Sequence, residues 1–158
     1  MIQHVPHAGE VLYCNFEDLN PPEITKTRKV VVLSPRDRDS FPQTFLVVPV
    51  SKTFRSASPC HCEFRARSYH FFDERESVWA LCDMVMCVAR RRLNGFRING
   101  RNVKTRISAA DLTRVRQCVL GSIGMSHWRE VEENARLTIS LSTSELLTQT
   151  AKSLKLST

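Results

Sequence analysis

The 158-residue sequence lacks the features that mark membrane-spanning and secreted proteins. No stretch approaches the roughly 20 consecutive apolar residues that a membrane-spanning helix needs. The opening residues, MIQHVPHAGE, contain no basic region followed by an apolar run, so a secretory leader is not expected. The six cysteines are therefore expected to be reduced thiols of a cytosolic protein, with Cys82 and Cys87 in its core.

The sequence also lacks the cysteine spacing of a structural metal site. Cys60 and Cys62 flank His61, but only one residue separates the two thiols. Structural zinc sites usually separate paired cysteines by about two to four residues, so that both thiolates reach one ion. His4 and His7 lie far from this triplet in the sequence and have no cysteine pair beside them. We therefore expect no metal ion and no cofactor.

Acidic residues are scarce relative to basic ones, and the imbalance is confined to one part of the chain. Residues 1–124 carry 19 Lys and Arg against 12 Asp and Glu, whereas residues 125–158 carry four of each. An excess of positive charge favours a polyanionic partner, although it also serves general solubility. We predict a domain over residues 1–124 and a C-terminal extension over residues 125–158, helical or partly disordered.

The stretch at residues 26–52 organises the predicted fold. It contains two β-branched runs, KTRKVVVLSPR and TFLVVPVSK, separated by a Pro- and Asp-rich connection. This pattern predicts two buried strands joined by a loop. Arg28 precedes the first run and Ser51 closes the second, so strand pairing would bring them together. A guanidinium beside a hydroxyl is suited to binding phosphate.

Three further strands are predicted around this pair, at residues 10–16, 62–67 and 102–107. A fourth, at residues 78–89, is the most apolar piece of the chain and carries one charge, Asp83. A carboxylate in such a segment needs a cationic partner or a place at the surface. Two interpretations stay open: Asp83 belongs to a functional site, or it forms an ion pair with a basic residue such as Arg28.

The clearest helix signal covers residues 108–121. Ser108 is a good N-cap, Asp111 follows three residues later, and Gly121 is a typical stop. Leu112, Val115 and Val119 form an apolar stripe that ends, less regularly, at Ile123, so the helix is expected to pack on the sheet. Phe71 and Phe72 could stack on bases, but packing is the favoured interpretation.

Four segments resemble the PemK/MazF family of toxin–antitoxin ribonucleases: GEVLYCNF (residues 9–16), PPEITKTRKVVVLSP (21–35), VVPVSKT (47–53) and WALCDMV (79–85). They occur in family order, and the resemblance covers roughly residues 8–124. It implies a mainly β fold with some α structure, a small SH3-like barrel with a C-terminal helix; the sequence adds a helical tail. It also implies a homodimer that cuts single-stranded RNA without metal and is held inactive by an antitoxin protein.

The resemblance further implies which residues act. Arg28, Ser51 and Asp83 match the family's catalytic positions, and the 2′-hydroxyl of RNA would attack the adjacent phosphorus. The loop at residues 18–26 matches one that covers the RNA groove. Lys29 and Leu81 depart from the family pattern, in place of a proline and a polar residue. The residues expected to bind RNA are Lys26, Lys29, Lys52, Thr53 and Arg90.

Two other functions stay open from the sequence. Leu81 favours a catalytically inactive nucleic-acid-binding module on the same barrel, whereas Arg28 and Ser51 oppose it. A gyrase-inhibiting toxin is the second alternative, because such toxins share the barrel.

Overall fold

The computed structural model of the chain describes residues 1–34, 43–52, 60–72, 77–98 and 101–125. Three short 3-10 turns lie at Ala66–Ser68, Cys82–Met84 and Arg90–Arg92. The strands and the helix, in chain order, are β1 (Val11–Cys14), β2 (Arg28–Val32), β3 (Thr44–Ser51), β4 (His61–Phe64), β5 (Val78–Leu81), β6 (Met86–Ala89), β7 (Leu93–Asn94), β8 (Phe96–Ile98), β9 (Arg101–Val103) and α1 (Ala109–Ser122).

Seven strands form one antiparallel sheet in the order β4-β5-β3-β2-β1-β7, and β6 also pairs with β3. β8 and β9 form a separate hairpin. The mainly β fold with a C-terminal helix is thereby confirmed. The sheet is not closed within the described residues, since β4 and β7 lie at opposite ends of the strand order and do not pair.

The sheet is buried on both faces, which explains why β2 and β3 are nearly continuous apolar runs. Alternate residues of each strand point to opposite sides. Val31 and Val48 join a core under α1, the helix-side core, together with Leu112 and Val115. Val30 and Val47 join the opposite core, which the N-terminal residue Ile2 helps to cover.

The predicted strand at residues 78–89 is interrupted. β3 pairs with β6 up to Val47 opposite Met86, and with β5 from Val50 opposite Ala80. Two residues of β3 therefore face five residues of its partner, and the surplus of three forms the 3-10 turn Cys82–Met84. Leu33 donates its N–H to the carbonyl of Leu46, so by alternation the nitrogen of Pro49 faces the interrupted side. A residue without an N–H is tolerated there because the ladder is already broken.

Helix α1 is confirmed, with Ser108 as its N-cap: the Asp111 N–H donates to the Ser108 hydroxyl at 3.1 Å. The second hydrogen bond of the predicted capping box, from the Ser108 N–H towards the Asp111 side chain, is made indirectly through the Tyr69 hydroxyl. The Ser108 N–H donates to the Tyr69 hydroxyl at 2.9 Å, and that hydroxyl donates to the Asp111 carboxylate. Ile123 is 60% exposed, so the apolar stripe ends before it.

Several sequence predictions require correction. The strand predicted at residues 10–16 is shorter (Val11–Cys14), and the one predicted at 102–107 is limited to β9 and an isolated bridge between Glu10 and Arg106. Cys87 is exposed, because it lies on β6 opposite Leu46, itself 41% exposed, where the helix-side core ends. Phe71 and Phe72 are buried, which confirms the packing interpretation.

The first compact unit is Met1–Gly124. Residues 126–158 lie outside the described part of the chain, so the predicted C-terminal extension stays a prediction. In the described part of the chain, no helix combines the length and the apolar character needed to cross a membrane.

Candidate functional site

Two adjacent strands place Arg28 and Ser51 at one corner of the sheet. Arg28 is the first residue of β2 and Ser51 is the last of β3. The two strands pair with Val30 opposite Pro49 and Val32 opposite Val47. The pairing ends at Val30 and Pro49, and β3 pairs with β5 from Val50 onward. Arg28 and Ser51 therefore lie at the same end of the two strands, two residues beyond the last pair.

The register extends this corner into a row across four strands. Ser51 is opposite Trp79 on β5, and Trp79 is opposite Glu63 on β4. By strand alternation all four side chains lie on the face of the opposite core, since Val30, Val47 and Val32 bury there while Ala80 and Cys62 bury on the helix side. We call this set, Arg28, Ser51, Trp79 and Glu63, the cross-strand row.

Exposure varies along the cross-strand row. Arg28 is partly exposed, and among the described residues its guanidinium has neither a hydrogen bond nor an ion pair. Ser51 is buried, at 6% exposure. Trp79 is partly exposed and Glu63 is exposed. The row therefore has a partly exposed cation at one end and an exposed carboxylate at the other, with the buried Ser51 between them.

Asp83 lies on the 3-10 turn that interrupts the β5–β6 run. Its carboxylate is 48% exposed, so it does not bear the desolvation cost expected of a charge in an apolar strand. Its Oδ1 lies 3.4 Å from Nε2 of His61, whose side chain is only 8% exposed. This contact is an ion pair when the imidazole is protonated. The partner of Asp83 is thus His61, and no ion pair joins Asp83 to Arg28 in the described structure.

Two of the predicted RNA-binding residues, Lys26 and Lys52, are exposed at the same corner. Lys26 lies two residues before β2 and Lys52 directly follows β3. Thr53 lies outside the described residues. Together with Arg28, the two lysines give this corner of the sheet a positive charge.

Lys29 and Arg90 lie away from this corner, and their predicted RNA contacts stay a prediction. Lys29 is opposite Tyr13 and points to the helix side, where its ammonium donates to the Phe71 carbonyl and lies 5.3 Å from the Phe72 ring centroid. Arg90 is 6% exposed and donates to the backbone carbonyls of Ile2 and His4. Both cations hold parts of the fold together.

The loop at residues 18–26 is fixed at both of its ends. Arg92 forms a bidentate pair with the Asp18 carboxylate, and Ile24 is buried in the opposite core. Hydrogen bonding to Arg92 lowers the pKa of Asp18. The loop thereby keeps a set position between β1 and β2, beside the corner that carries Arg28.

Sequence reasoning missed His61, Glu63 and Trp79 as members of this site. The strand predicted at residues 62–67 is in fact His61–Phe64, so the face assigned to Arg65 and Arg67 lies beyond its end. His61 was considered only as part of a metal triplet. Among the described residues, no group of three or more His, Cys, Asp or Glu side chains is placed to hold a metal ion. The signal that would have found these residues is the pairing of β3 with β5 and of β5 with β4.

A second concave surface lies elsewhere on the molecule. A groove of about 1210 Å³ is bordered by the N-terminal segment and by residues 94–97 and 103–106. It contains Arg97, Lys104 and Arg106, but no member of the cross-strand row.

Comparison with known proteins gives a consistent set of similarities. The family model described as "PemK-like, MazF-like toxin of type II toxin-antitoxin system" matches residues 7–123. An uncharacterized protein of Haemophilus influenzae is 25% identical over 139 residues, covering 78% of this chain and 94% of that protein.

Solved structures agree in fold. MazF from Deinococcus radiodurans superposes with a TM-score of 0.60 at 22% identity, covering 78% of this chain and all of that one. A mycobacterial endoribonuclease, solved in complex with its cognate antitoxin, gives a TM-score of 0.54 at 12% identity, covering 77% and 97%.

Proposed function

Because the chain belongs to the family of PemK-like, MazF-like toxins of type II toxin–antitoxin systems, we propose that it is an endoribonuclease that cuts single-stranded RNA without a metal ion. The observation that supports the proposal is the position of Arg28 and Ser51 at the same end of two paired strands. The endoribonuclease solved from mycobacteria shares this fold and supports the same reaction class.

In the proposed reaction the 2′-hydroxyl oxygen of one nucleotide bonds to the adjacent phosphorus. The bond from phosphorus to the 5′-oxygen breaks, which leaves a cyclic phosphate and a 5′-hydroxyl. Negative charge grows on the phosphoryl oxygens, and donors aimed at that charge lower the barrier. Arg28 supplies a fixed fork of donors and Ser51 supplies a hydroxyl.

The 2′-hydroxyl must lose its proton, and Arg28 is a poor acceptor because a guanidinium stays protonated above about pH 12. We assign that role to Asp83, whose carboxylate is exposed and is held at 3.4 Å by His61. The proton passes to the Asp83 carboxylate and the leaving 5′-oxygen takes a proton from solvent water. The Asp83 carboxyl group then returns its proton to solvent.

One observation favours a second candidate function, a binding module that no longer cuts. Leu81, where some family members place an arginine, is 3% exposed and offers no polar group. Cleavage by this chain would then depend on Arg28, Ser51 and Asp83 alone. An inactive module would bind RNA at the same corner but leave it intact.

We also propose the partners that the family implies. An antitoxin protein would hold the toxin inactive, as the mycobacterial complex illustrates for that protein, and the active form would be a homodimer. The RNA-binding corner carries Lys26, Arg28 and Lys52, so an acidic antitoxin segment would compete with RNA for it. Because the substrate would be cellular RNA, we place the activity in the cytoplasm.

Primer extension on a long RNA incubated with the purified protein tests the proposed function. We expect discrete cleavage sites that persist in EDTA and disappear with Arg28→Ala. A parallel supercoiling reaction with DNA gyrase should proceed normally. Intact RNA that is nevertheless bound would establish the inactive module, and gyrase inhibition with intact RNA would establish the gyrase-inhibiting alternative. Cleavage by a folded Arg28→Ala variant at the parent rate would place the active site elsewhere.

A further inference from the structure

Trp79 occupies the middle of the cross-strand row, and we propose that it stacks on an RNA base next to the phosphate held by Arg28 and Ser51. It would thereby position the strand for cleavage and favour particular bases at that place. This inference rests on the proposed function, since it assumes that single-stranded RNA lies across the row.

The first argument is position. Trp79 is directly opposite Ser51, so the backbones of the two residues are one strand spacing, about 4.8 Å, apart. Trp79 shares the face of Arg28 and Ser51 by strand alternation. In a nucleotide the base is joined to its phosphate through one sugar. A phosphate at Arg28 and Ser51 therefore places a neighbouring base within reach of the indole.

The second argument is exposure. The other three residues of β5 are buried, with Val78 at 2%, Ala80 at 0% and Leu81 at 3% exposure. Trp79 is partly exposed although it is the largest side chain of the strand. Apolar surface left in water is unfavourable, and a base that covers the ring removes that exposure. Stacking on an aromatic ring tolerates any base, which suits recognition of single-stranded RNA.

The third argument is the order of the charged side chains along the cross-strand row. Arg28 is cationic at one end, and Glu63 is exposed and anionic at the other, directly opposite Trp79. A carboxylate repels phosphate but accepts hydrogen bonds from the amino groups of bases. A nucleotide therefore fits the row in one direction, with its phosphate at Arg28 and its base over Trp79 beside Glu63. Bases with an exocyclic amino group are favoured there over uracil.

Binding measurements on modified oligonucleotides test this inference. The substrate is a short RNA that spans a mapped cleavage site, with a 2′-O-methyl group on the attacking nucleotide so that it cannot be cut. A set of such RNAs carries one abasic residue at each position in turn. Dissociation constants are measured by fluorescence anisotropy for the parent, for Trp79→Ala and for Trp79→Leu. The leucine variant keeps an apolar side chain but lacks the aromatic face.

We expect one abasic position to weaken binding to the parent by about 5- to 140-fold, the range that base–aromatic stacking gives. Both variants should show a similar loss with the unmodified RNA. In both variants the same abasic position should weaken binding little further, because the indole that stacks on that base is already absent. Trp79→Phe, as the matched control, should keep most of the affinity and the abasic response.

The inference is overturned if folded Trp79→Leu responds to each abasic position as the parent does. That result would leave the proposed function standing, provided that the parent cuts RNA and Arg28→Ala does not. A parent that neither binds nor cuts RNA overturns both. Circular dichroism of each variant checks the fold, and the leucine variant decides the outcome if the alanine variant unfolds.

Discussion

At the scale of single residues, the site depends on side chains that the strand ends position. Arg28 and Ser51 would act on the same developing charge, so their effects on the rate should not multiply. Removing one such donor costs roughly 100- to 1000-fold in rate, and the charged Arg28 should cost the most. We expect Arg28→Ala combined with Ser51→Ala to fall well short of the product of the single losses, because the pair acts as a unit.

Single-turnover cleavage rates measure this coupling. Arg97→Ala is the matched control, since Arg97 is an exposed arginine on β8 outside the cross-strand row. It should cut RNA at close to the parent rate. Multiplicative losses for Arg28 and Ser51 would mean that the two residues serve separate steps.

Substitutions of Asp83 and of His61 should slow RNA cleavage by different amounts. Loss of a proton acceptor typically slows a reaction by about 100- to 10,000-fold, so Asp83→Asn should be severely impaired. His61→Gln should lose less, because it removes only the group 3.4 Å away that holds the carboxylate. The single-turnover cleavage rate of both variants, measured as a function of pH, distinguishes the proton acceptor from the residue that holds it. Equal losses, or a wild-type rate for Asp83→Asn, would contradict the assignment of Asp83.

At the scale of elements, Tyr69 joins α1 to the segment that follows β4. Its hydroxyl accepts from the Ser108 N–H and donates to Asp111, so Tyr69→Phe leaves the N–H at the helix start without this partner. We expect the free energy of unfolding to fall by about 1–2 kcal/mol, measured by urea denaturation. Tyr13→Phe is the matched control: the Tyr13 ring stacks on Phe96, and its hydroxyl makes no hydrogen bond within the described residues. Equal losses would show that Tyr69 acts through its ring.

The elements also show what the sequence could predict and where it could not. β2, β3 and α1 were predictable because apolar periodicity and capping residues are local signals. The interruption at Cys82–Met84 was not, because three surplus residues opposite β3 are defined only by the partner strand. Lys29 points away from Arg28 although the two are neighbours in the chain, because adjacent strand residues point to opposite faces. Trp79 and Glu63 entered the site only through strand order.

At the scale of the whole molecule, the positive corner predicts how RNA binding depends on salt. Each phosphate neutralised on a single strand adds about −0.7 to the slope of log K against log salt concentration. Contacts by Lys26, Arg28 and Lys52 therefore predict a slope of about −2. Lys52→Ala should reduce its magnitude by about 0.7, measured by anisotropy over a salt series. Lys29→Gln, on the other face, should leave the slope unchanged, and a change there would return Lys29 to the RNA-binding surface.

Burial of ionisable groups predicts an alkaline limit to stability. Burial raises the pKa of Cys14 to about 12 and of Cys62 to about 11, and it also raises the pKa values of Cys82 and Tyr69. A group whose pKa is raised in the folded state stabilises it fully below the unfolded pKa, and that contribution is lost as pH rises towards the folded value. The free energy of unfolding should therefore decline above about pH 9, the ordinary thiol value. Urea denaturation between pH 7 and about pH 10.5 measures this, and the Cys14→Ala variant should show a shallower decline.

The turn at Cys82–Met84 separates substitutions that would alter strand pairing from substitutions that would alter only the turn. The ladders on either side of it are each fixed by β3, so residues gained or lost within the turn leave both registers intact. Asp83, with a carboxylate that is 48% exposed, is the residue of the turn that can change most freely. Cys82 beside it is buried in the helix-side core, so chemistry can diversify at Asp83 while Cys82 keeps the turn in place.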